Sequence, residues 1–207
     1  MAGIRALFWD VGGVLLTNAW DRKQRDAALQ RFHLDPEEFQ DRHEMVVSSF
    51  ERGKISFDEY LDRTVFYRQR TFTPTEMKDY IHSLSQPHPD TLALARQLAD
   101  SRRYVMATIN NESRELNQYR IEQYGLREIF DFFVSSCYVG LRKPERDIYR
   151  VALEISQKAG GECCFLDDRD LNLECARQLG MKTIQVKNAT QVRQELESLG
   201  VQTAPAS

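Results

Sequence analysis

Five short apolar runs recur along the chain, and each is continuous instead of alternating with polar residues. A continuous run of this length is typical of a strand that is buried on both faces of a sheet. Helical patterns lie between most of the runs, and this alternation predicts a parallel sheet with helices on both faces. The predicted strands are Ile4–Trp9, Tyr104–Ala107, Phe130–Ser135, Cys163–Leu166 and Thr183–Val186. The predicted helices are Thr91–Asp100, Glu112–Tyr124, Glu145–Ser156 and Leu171–Leu179.

The segment from Asp21 to His82 breaks this alternation. It carries roughly four amphipathic helical patterns and no convincing strand. Asp35 precedes a proline, as at many helix starts, and Ser56 and Thr73 each stand three residues before a glutamate, the spacing of a capping box. We therefore predict a helical insertion after the first strand.

The predicted fold is α/β, a doubly wound, Rossmann-like parallel sheet of five strands with a small inserted helical domain. The predicted domains are a sheet domain of residues 1–17 and 86–207 and a helical domain of residues 18–85.

Composition narrows the set of partners. The chain has 207 residues and a net charge of −3, with no basic stripe that would indicate nucleic acid. It has no apolar stretch of membrane-span length and no pattern of a signal peptide. We therefore expect a cytoplasmic protein, monomeric or homodimeric, that acts on a small molecule and binds neither nucleic acid nor membrane.

Chemically useful side chains follow the predicted strands. Asp10 follows the first, Thr108 the second, Lys143 comes shortly after the third, and Asp167 and Asp168 follow the fourth. In open parallel sheets, ligands bind beyond the carboxyl ends of the strands. Each residue alone has an ordinary explanation, such as a strand end, a solvated loop or a helix N-cap. Together they form a complementary set at one edge.

This set suits phosphoryl transfer through an aspartyl phosphate. A carboxylate that attacks a phosphate ester meets like charge, which a divalent cation bridging the two removes. Carboxylate oxygens favour Mg²⁺, and a lysine and a hydroxyl can bind the remaining phosphoryl oxygens.

The same residues resemble the motifs of the haloacid dehalogenase-like (HAD) superfamily. The segment 8–15 is similar to its first motif, Thr108 to the second, Lys143-Pro144 to the third and Phe165–Asp168 to the fourth. Within the superfamily, residues 137–149 are similar to the group formed by the α-glucose-1-phosphate phosphatases and the phosphatase domain of soluble epoxide hydrolase. The helical insertion lies where the family has its cap domain.

The resemblance implies a role for each matching position, with Asp10, Thr108 and Lys143 as the catalytic set and Asp10 as the nucleophile. The implied Mg²⁺ ligands are Asp10, the carbonyl of Gly12, Asp168 and, directly or through another group, Asp167. The implied phosphoryl-binding residues are Thr108, the backbone of Ile109, Asn110 or Asn111, and Lys143.

Gly12 departs from the family's phosphatases, which carry at this position an aspartate that acts as the acid and base. Such catalysis is typically worth about 10²–10⁴-fold. Three explanations remain open: a phosphatase for good leaving groups such as a sugar 1-phosphate, a catalytically weak or inactive relative that binds a phosphorylated ligand or a partner, and a haloacid dehalogenase. We favour the first, because the similar α-glucose-1-phosphate phosphatases also have glycine at this position. Dehalogenases need no metal, so the intact Asp167-Asp168 pair speaks against the third.

The sequence says less about the substrate. A helical cap would admit a small molecule and exclude water. A set of cationic cap residues could bind a second anionic group or could be solvated: Arg52, Lys54, Arg63, Arg68 and Arg70. Any of four histidines could in principle replace the missing acid and base, although each has an ordinary surface or capping role as its alternative: His33, His43, His82 and His88.

Overall fold

The computed structural model describes residues 3–203, and its centre is a five-stranded sheet. The strand order is β3-β2-β1-β4-β5, and every neighbouring pair is parallel. The strands are β1 (Ala6–Trp9), β2 (Val105–Asn110), β3 (Phe132–Ser135), β4 (Cys163–Asp167) and β5 (Lys182–Gln185). All five predicted strands are present, and the predicted α/β class is confirmed. The largest difference is at β2, which continues to Asn110 where the apolar pattern predicted an end at Ala107.

Helices connect these strands. Within residues 3–203 the α-helices are α1 (Arg22–Arg31), α2 (Pro36–Glu51), α3 (Phe57–Thr64), α4 (Pro74–Ser83), α5 (Pro89–Asp100), α6 (Arg114–Gln123), α7 (Ser136–Val139), α8 (Arg146–Ser156), α9 (Asp170–Gln178) and α10 (Ala189–Ser198).

The sheet is covered on both faces, which explains its continuous apolar runs. In β1, Leu7 and Trp9 pack in one apolar cluster with residues of α5, α6 and α10. Ala6 and Phe8 point to the other face and pack with residues of α8 and α9. All four side chains are fully buried. Because successive strand residues face opposite sides, both sets must be apolar.

Helices α1–α4 form the insertion after β1. They pack in a separate apolar cluster that contains Phe39, Tyr60 and Met77 and also includes Leu116 of α6. The predicted helix starts are present. Asp35 accepts a hydrogen bond from Glu38 N–H at 2.9 Å, and Thr73 and Glu76 form a reciprocal capping box. We refer to residues 18–85 as the cap. The domain division into this cap and a core of residues 1–17 and 86–207 stays a proposal, and residues 1–2 and 204–207 of that core lie outside the described range.

The two chain segments that join cap and core lie side by side. Thr17 Oγ1 donates to Leu84 O at 2.6 Å, and Thr17 N–H donates to Gln86 O at 2.8 Å. The guanidinium of Arg120, on α6, binds both segments, donating to Thr17 O at 2.7 Å and to Ser85 Oγ at 3.0 Å. A buried arginine of the core thus connects the chain segment that leads into the cap with the segment that leads out of it.

In the part of the chain from residue 3 to residue 203, no helix combines the length and the apolar character needed to cross a membrane.

Candidate active site

Asp10 and Lys143 meet at the carboxyl edge of the sheet. Asp10 follows β1, where its N–H donates to Leu166 O of the neighbouring strand at 2.8 Å. Lys143 Nζ lies 2.9 Å from Asp10 Oδ1 and 2.6 Å from Asp167 Oδ2. All three side chains are buried, so these ion pairs are shielded from water. Burial raises the pKa of Asp10, and the positive charge of Lys143 opposes that rise.

Three carboxylates converge at this point, with one oxygen each from Asp10, Asp167 and Asp168 within 4.8 Å of one another. Both carboxylate oxygens of Asp167 already accept hydrogen bonds, from Lys143 Nζ, the N–H of Arg169 and the side-chain amide of Asn172. Asp168 differs, since its buried Oδ1 has no hydrogen-bond partner within residues 3–203. Burial and the neighbouring Asp167 raise the pKa of Asp168. A buried carboxylate oxygen without a donor fits a divalent cation, and the hard oxygen donors fit Mg²⁺.

Gly12 and Gly13, which follow Asp10 closely in the chain, lie against side chains. Gly13 has a φ of +80°, and a β-carbon there would collide with the carboxylate of Asp168. A β-carbon at Gly12 would lie 2.6 Å from Asn18 Oδ1 and 3.6 Å from Arg120 Nη1. Asn18 therefore occupies the space that a side chain at position 12 would need. No pattern in the sequence points to Asn18.

The structure does not bring Thr108, Ile109 and Asn110 to the cavity wall. All three belong to β2 and are buried. Ile109 packs in the apolar cluster under α8 and α9. Asn110 accepts a hydrogen bond from Ser135 at 2.8 Å, and Thr108 lies 3.5 Å from Asn110 Oδ1. The side chains of these three residues thus contact other buried residues and not the cavity. Their role in binding the phosphoryl group stays a prediction.

Asn111, by contrast, lines the cavity, and its side chain binds the backbone of Lys143. Its amide is therefore committed to holding the lysine loop. The sequence offered Asn111 as a phosphoryl contact and did not reveal this partner.

A cavity of about 500 Å³ lies between the sheet edge and helices α1 and α2 of the cap. Asp10, Gly12 and Lys143 are on its core side, and Trp20 and Phe50 supply apolar surface from the cap. None of the cationic cap residues that the sequence offered for a second anion lies on its wall. Arg22 and Arg25 of α1 do so instead, together with Arg142 and Arg169 from the core.

One histidine, His43, lies on the cavity wall. Its Nδ1 is 2.8 Å from the hydroxyl of Tyr60, which accepts from Trp20 Nε1–H at 2.9 Å. Burial and the positive charges of Arg25 and Arg142 lower the pKa of His43 to about 4. His43 is therefore neutral near pH 7, which suits a packed hydrogen-bonding role and not a general acid.

A family model described as haloacid dehalogenase-like hydrolase matches residues 4–180. The chain belongs to the haloacid dehalogenase-like hydrolases.

Two curated relatives align along nearly the whole chain. Bifunctional epoxide hydrolase 2 of Sus scrofa is 27% identical over 218 residues, which is 96% of this chain and 39% of the relative. The chain thus spans well under half of that protein. The D-ribitol-5-phosphate phosphatase of Bacteroides thetaiotaomicron is 25% identical over 219 residues, 93% of this chain and 97% of the relative.

Solved structures share the fold. A HAD family enzyme of Bacteroides thetaiotaomicron in complex with magnesium and inorganic phosphate has a TM-score of 0.73 at 21% identity, covering 89% of this chain and 95% of its own. A dehalogenase structure with an intermediate complex has a TM-score of 0.64 at 20% identity, covering 90% of this chain and 86% of its own. At these identities the likeness shows a common fold.

Proposed function

We propose that this protein is a Mg²⁺-dependent phosphohydrolase that acts on a small phosphate ester through an aspartyl phosphate at Asp10. The observation that carries the proposal is the pairing of Asp10 with Lys143 beside a carboxylate oxygen, Asp168 Oδ1, that has no donor among the described residues. Dehalogenation needs no metal, so the carboxylate cluster favours the phosphatase over the dehalogenase explanation. The phosphatase relative that aligns along the chain and the magnesium and phosphate complex of the HAD family enzyme support the proposal.

In this mechanism Mg²⁺ would be held by Asp10, the carbonyl of Gly12 and Asp168, and it would offset the repulsion between the carboxylate and the phosphate. The free Asp168 oxygen supports its role as a direct ligand. Asp167 is already bound by Lys143 and Asn172, which supports a role in orienting the lysine.

The chain's own residues would then perform the transfer. Asp10 would attack phosphorus, the ester oxygen would leave with the electron pair of the broken P–O bond, and water would later hydrolyse the aspartyl phosphate. Lys143 would place its positive charge beside the nucleophile and the transferred phosphoryl group. Thr108 and the backbone of Ile109 stay candidates for phosphoryl contacts.

Gly12 cannot protonate the leaving group, and Asn18 beside it is an amide that does not titrate. This arrangement favours substrates whose leaving group departs without full protonation, such as a sugar 1-phosphate or an aryl phosphate. It supports the phosphatase explanation for good leaving groups.

The test is turnover of 4-nitrophenyl phosphate with and without Mg²⁺, compared between the wild type and Asp10→Asn. We expect metal-dependent release of phosphate by the wild type and its loss in the variant. A panel of phosphate esters and a chlorinated acid completes the experiment. If no ester of the panel is hydrolysed in a metal-dependent manner, the phosphatase proposal is wrong. Release of chloride from the chlorinated acid would identify a dehalogenase.

A further inference from the structure

Besides Arg22 and Arg120, three arginines line the cavity that contains Asp10. Arg25 comes from α1 of the cap, Arg142 from the loop before Lys143, and Arg169 from the loop after β4. They reach one space from three separate segments of the chain. None of them is needed to explain the contacts of Asp10.

These cationic groups of the cavity differ in their partners. Lys143 pairs with Asp10, and Arg142 Nη2 pairs with Glu51 Oε2 at 2.7 Å. Arg25 donates through Nη1 to the carbonyl of Trp20 at 2.7 Å, and its buried Nε has no partner within residues 3–203. Arg169 forms no ion pair in that same range. Arg25 and Arg169 therefore line the cavity without a carboxylate partner among the described residues.

The same charges act on two buried groups of the cap. Burial raises the pKa of Glu51, and the positive charges of Arg142, Arg169 and Arg25 oppose that rise. Arg25 and Arg142 also contribute to the low pKa of His43. The positive charges of all three arginines therefore act on Glu51, a carboxylate on the cap side of the cavity.

We propose that Arg25, Arg142 and Arg169 form a subsite for a second anionic group, a carboxylate or a second phosphate, carried by the leaving group of the substrate. The inference rests on the proposed function, because it extends the same cavity beyond the phosphoryl group. A guanidinium group binds either anion through two parallel N–H donors. The cavity of about 500 Å³ accommodates a small metabolite, and Trp20 and Phe50 offer apolar contact for its carbon skeleton.

The proposal is tested with pairs of aryl phosphates that differ in charge. One pair is 3-carboxyphenyl phosphate and its neutral analogue of nearly equal shape, 3-carbamoylphenyl phosphate. The other is benzene-1,3-diol bisphosphate and its monophosphate, which separates a second phosphate from a carboxylate. We expect the wild type to favour at least one charged member by about tenfold or more in kcat/KM, mainly through KM.

Arg25→Met and Arg169→Met are expected to bring this charge preference close to unity, whereas Arg25→Lys keeps part of it. Lys23→Met is the matched control, because Lys23 is an exposed cation on the same helix that does not line the cavity. This control is expected to keep the wild-type preference. Urea unfolding of each variant separates a lost subsite from a lost fold.

Binding of 3-carboxybenzyl phosphonate and 3-carbamoylbenzyl phosphonate, measured by calorimetry with Mg²⁺, tests the subsite without turnover. One outcome is a protein that hydrolyses no ester but binds the carboxylate more tightly than the amide, in a way that depends on Arg25 and Arg169. That outcome would support the subsite and contradict the phosphatase function. Turnover of 4-nitrophenyl phosphate with no charge preference in either substrate pair or in phosphonate binding would overturn the subsite and leave the phosphatase function standing.

Discussion

The side chain of Asn111 binds the backbone of Lys143 at both of its polar groups. Asn111 Nδ2 donates to Lys143 O at 2.9 Å, and Asn111 Oδ1 accepts from Lys143 N–H at 2.8 Å. The loop after β2 thereby fixes the loop that carries the lysine. Lys143 Nζ in turn reaches Asp10. Asn111 is therefore a positioning residue for the pair at the centre of the site.

Asn111→Ala is expected to lower kcat by about 10- to 100-fold, because a displacement of roughly 1 Å at a reacting group can have an effect of this size. KM should change much less, since the asparagine amide is committed to Lys143. Steady-state kinetics on 4-nitrophenyl phosphate checks the split, and thermal unfolding checks the fold. An unchanged kcat in a folded variant would contradict the positioning role.

The sequence predicted the sheet and the meeting of Asp10 and Lys143 at its edge because both follow from local patterns. Apolar runs predict strands, and the groups after them meet at one edge. It misplaced the end of β2 because Thr108 and Asn110 are polar, although both are buried. Asn110 is hydrogen-bonded to Asn117 and Ser135, which come from other elements. Thr108 Oγ1 lies 3.5 Å from Asn110 Oδ1. A hydropathy pattern contains no information on such partners.

The cavity arginines could not be found from the sequence for a related reason. Arg52 looked suitable, but it binds Gly140 O and Glu145 and so helps to dock the cap on the core. Arg25 lies on α1, whose polar residues are distributed almost evenly around the helix axis. The hydropathy pattern of α1 therefore does not show which of its faces packs against the core. That orientation is set by tertiary packing, which helical periodicity alone does not describe.

Gly12→Asp restores the side chain that the family's phosphatases use, but Asn18 stands in its way. The new β-carbon would lie 2.6 Å from Asn18 Oδ1, so the amide must move. We expect the single variant to lose about 1–3 kcal/mol of unfolding free energy from this crowding. Urea unfolding measures the loss, and stability equal to the wild type would show that Asn18 moves freely.

The double variant Gly12→Asp, Asn18→Ala opens that space. We expect its rate on an alkyl phosphate, relative to an aryl phosphate, to rise by about 10²-fold or more, since alkoxide leaving groups need a proton most. Asn18→Ala alone is the matched control and should not change this ratio. An unchanged ratio in the folded double variant would mean that another group already supplies the proton.

Arg120 is a buried cation that joins the cap segments to Glu112, whose Oε2 lies 3.1 Å from Arg120 Nη1. Burial already raises the pKa of Glu112, and Arg120 opposes that rise. Arg120→Met should cost about 3–5 kcal/mol of unfolding free energy, because it leaves a buried carboxylate without its countercharge.

The pH dependence of this loss has a definite sign. Without Arg120 the pKa of Glu112 in the folded state rises further above its value in the unfolded chain. Stability then falls as pH rises, because the folded state retains a proton that the unfolded state releases. Urea unfolding at pH 5 and pH 8 should show the larger loss at pH 8. In Arg120→Met, Glu112→Gln the loss should be smaller and nearly independent of pH; an equal loss in both variants would contradict the pairing.

His43 should make the stability of the protein depend on pH in the acidic range. The folded state lowers its pKa from 6.5 to about 4, so between these values the unfolded chain binds a proton that the folded chain does not. Stability is therefore complete above pH 6.5 and falls as pH decreases toward 4, by about 2–3 kcal/mol in total. This pH-dependent loss of stability arises in the cap, where the ring of His43 stacks on the ring of Phe39 with 5.9 Å between the ring centroids.

His43→Phe removes this titration and keeps an aromatic ring against Phe39. We expect the variant to be less stable than the wild type at pH 7, because Tyr60 loses a hydrogen-bond partner, and the difference to narrow as the pH falls to 4.5. Urea unfolding at several pH values measures both curves. His33→Asn, which removes an exposed histidine at a position whose positive φ suits asparagine, is the control and should follow the wild-type curve. Parallel curves for His43→Phe and the wild type would show that His43 is not the group that titrates.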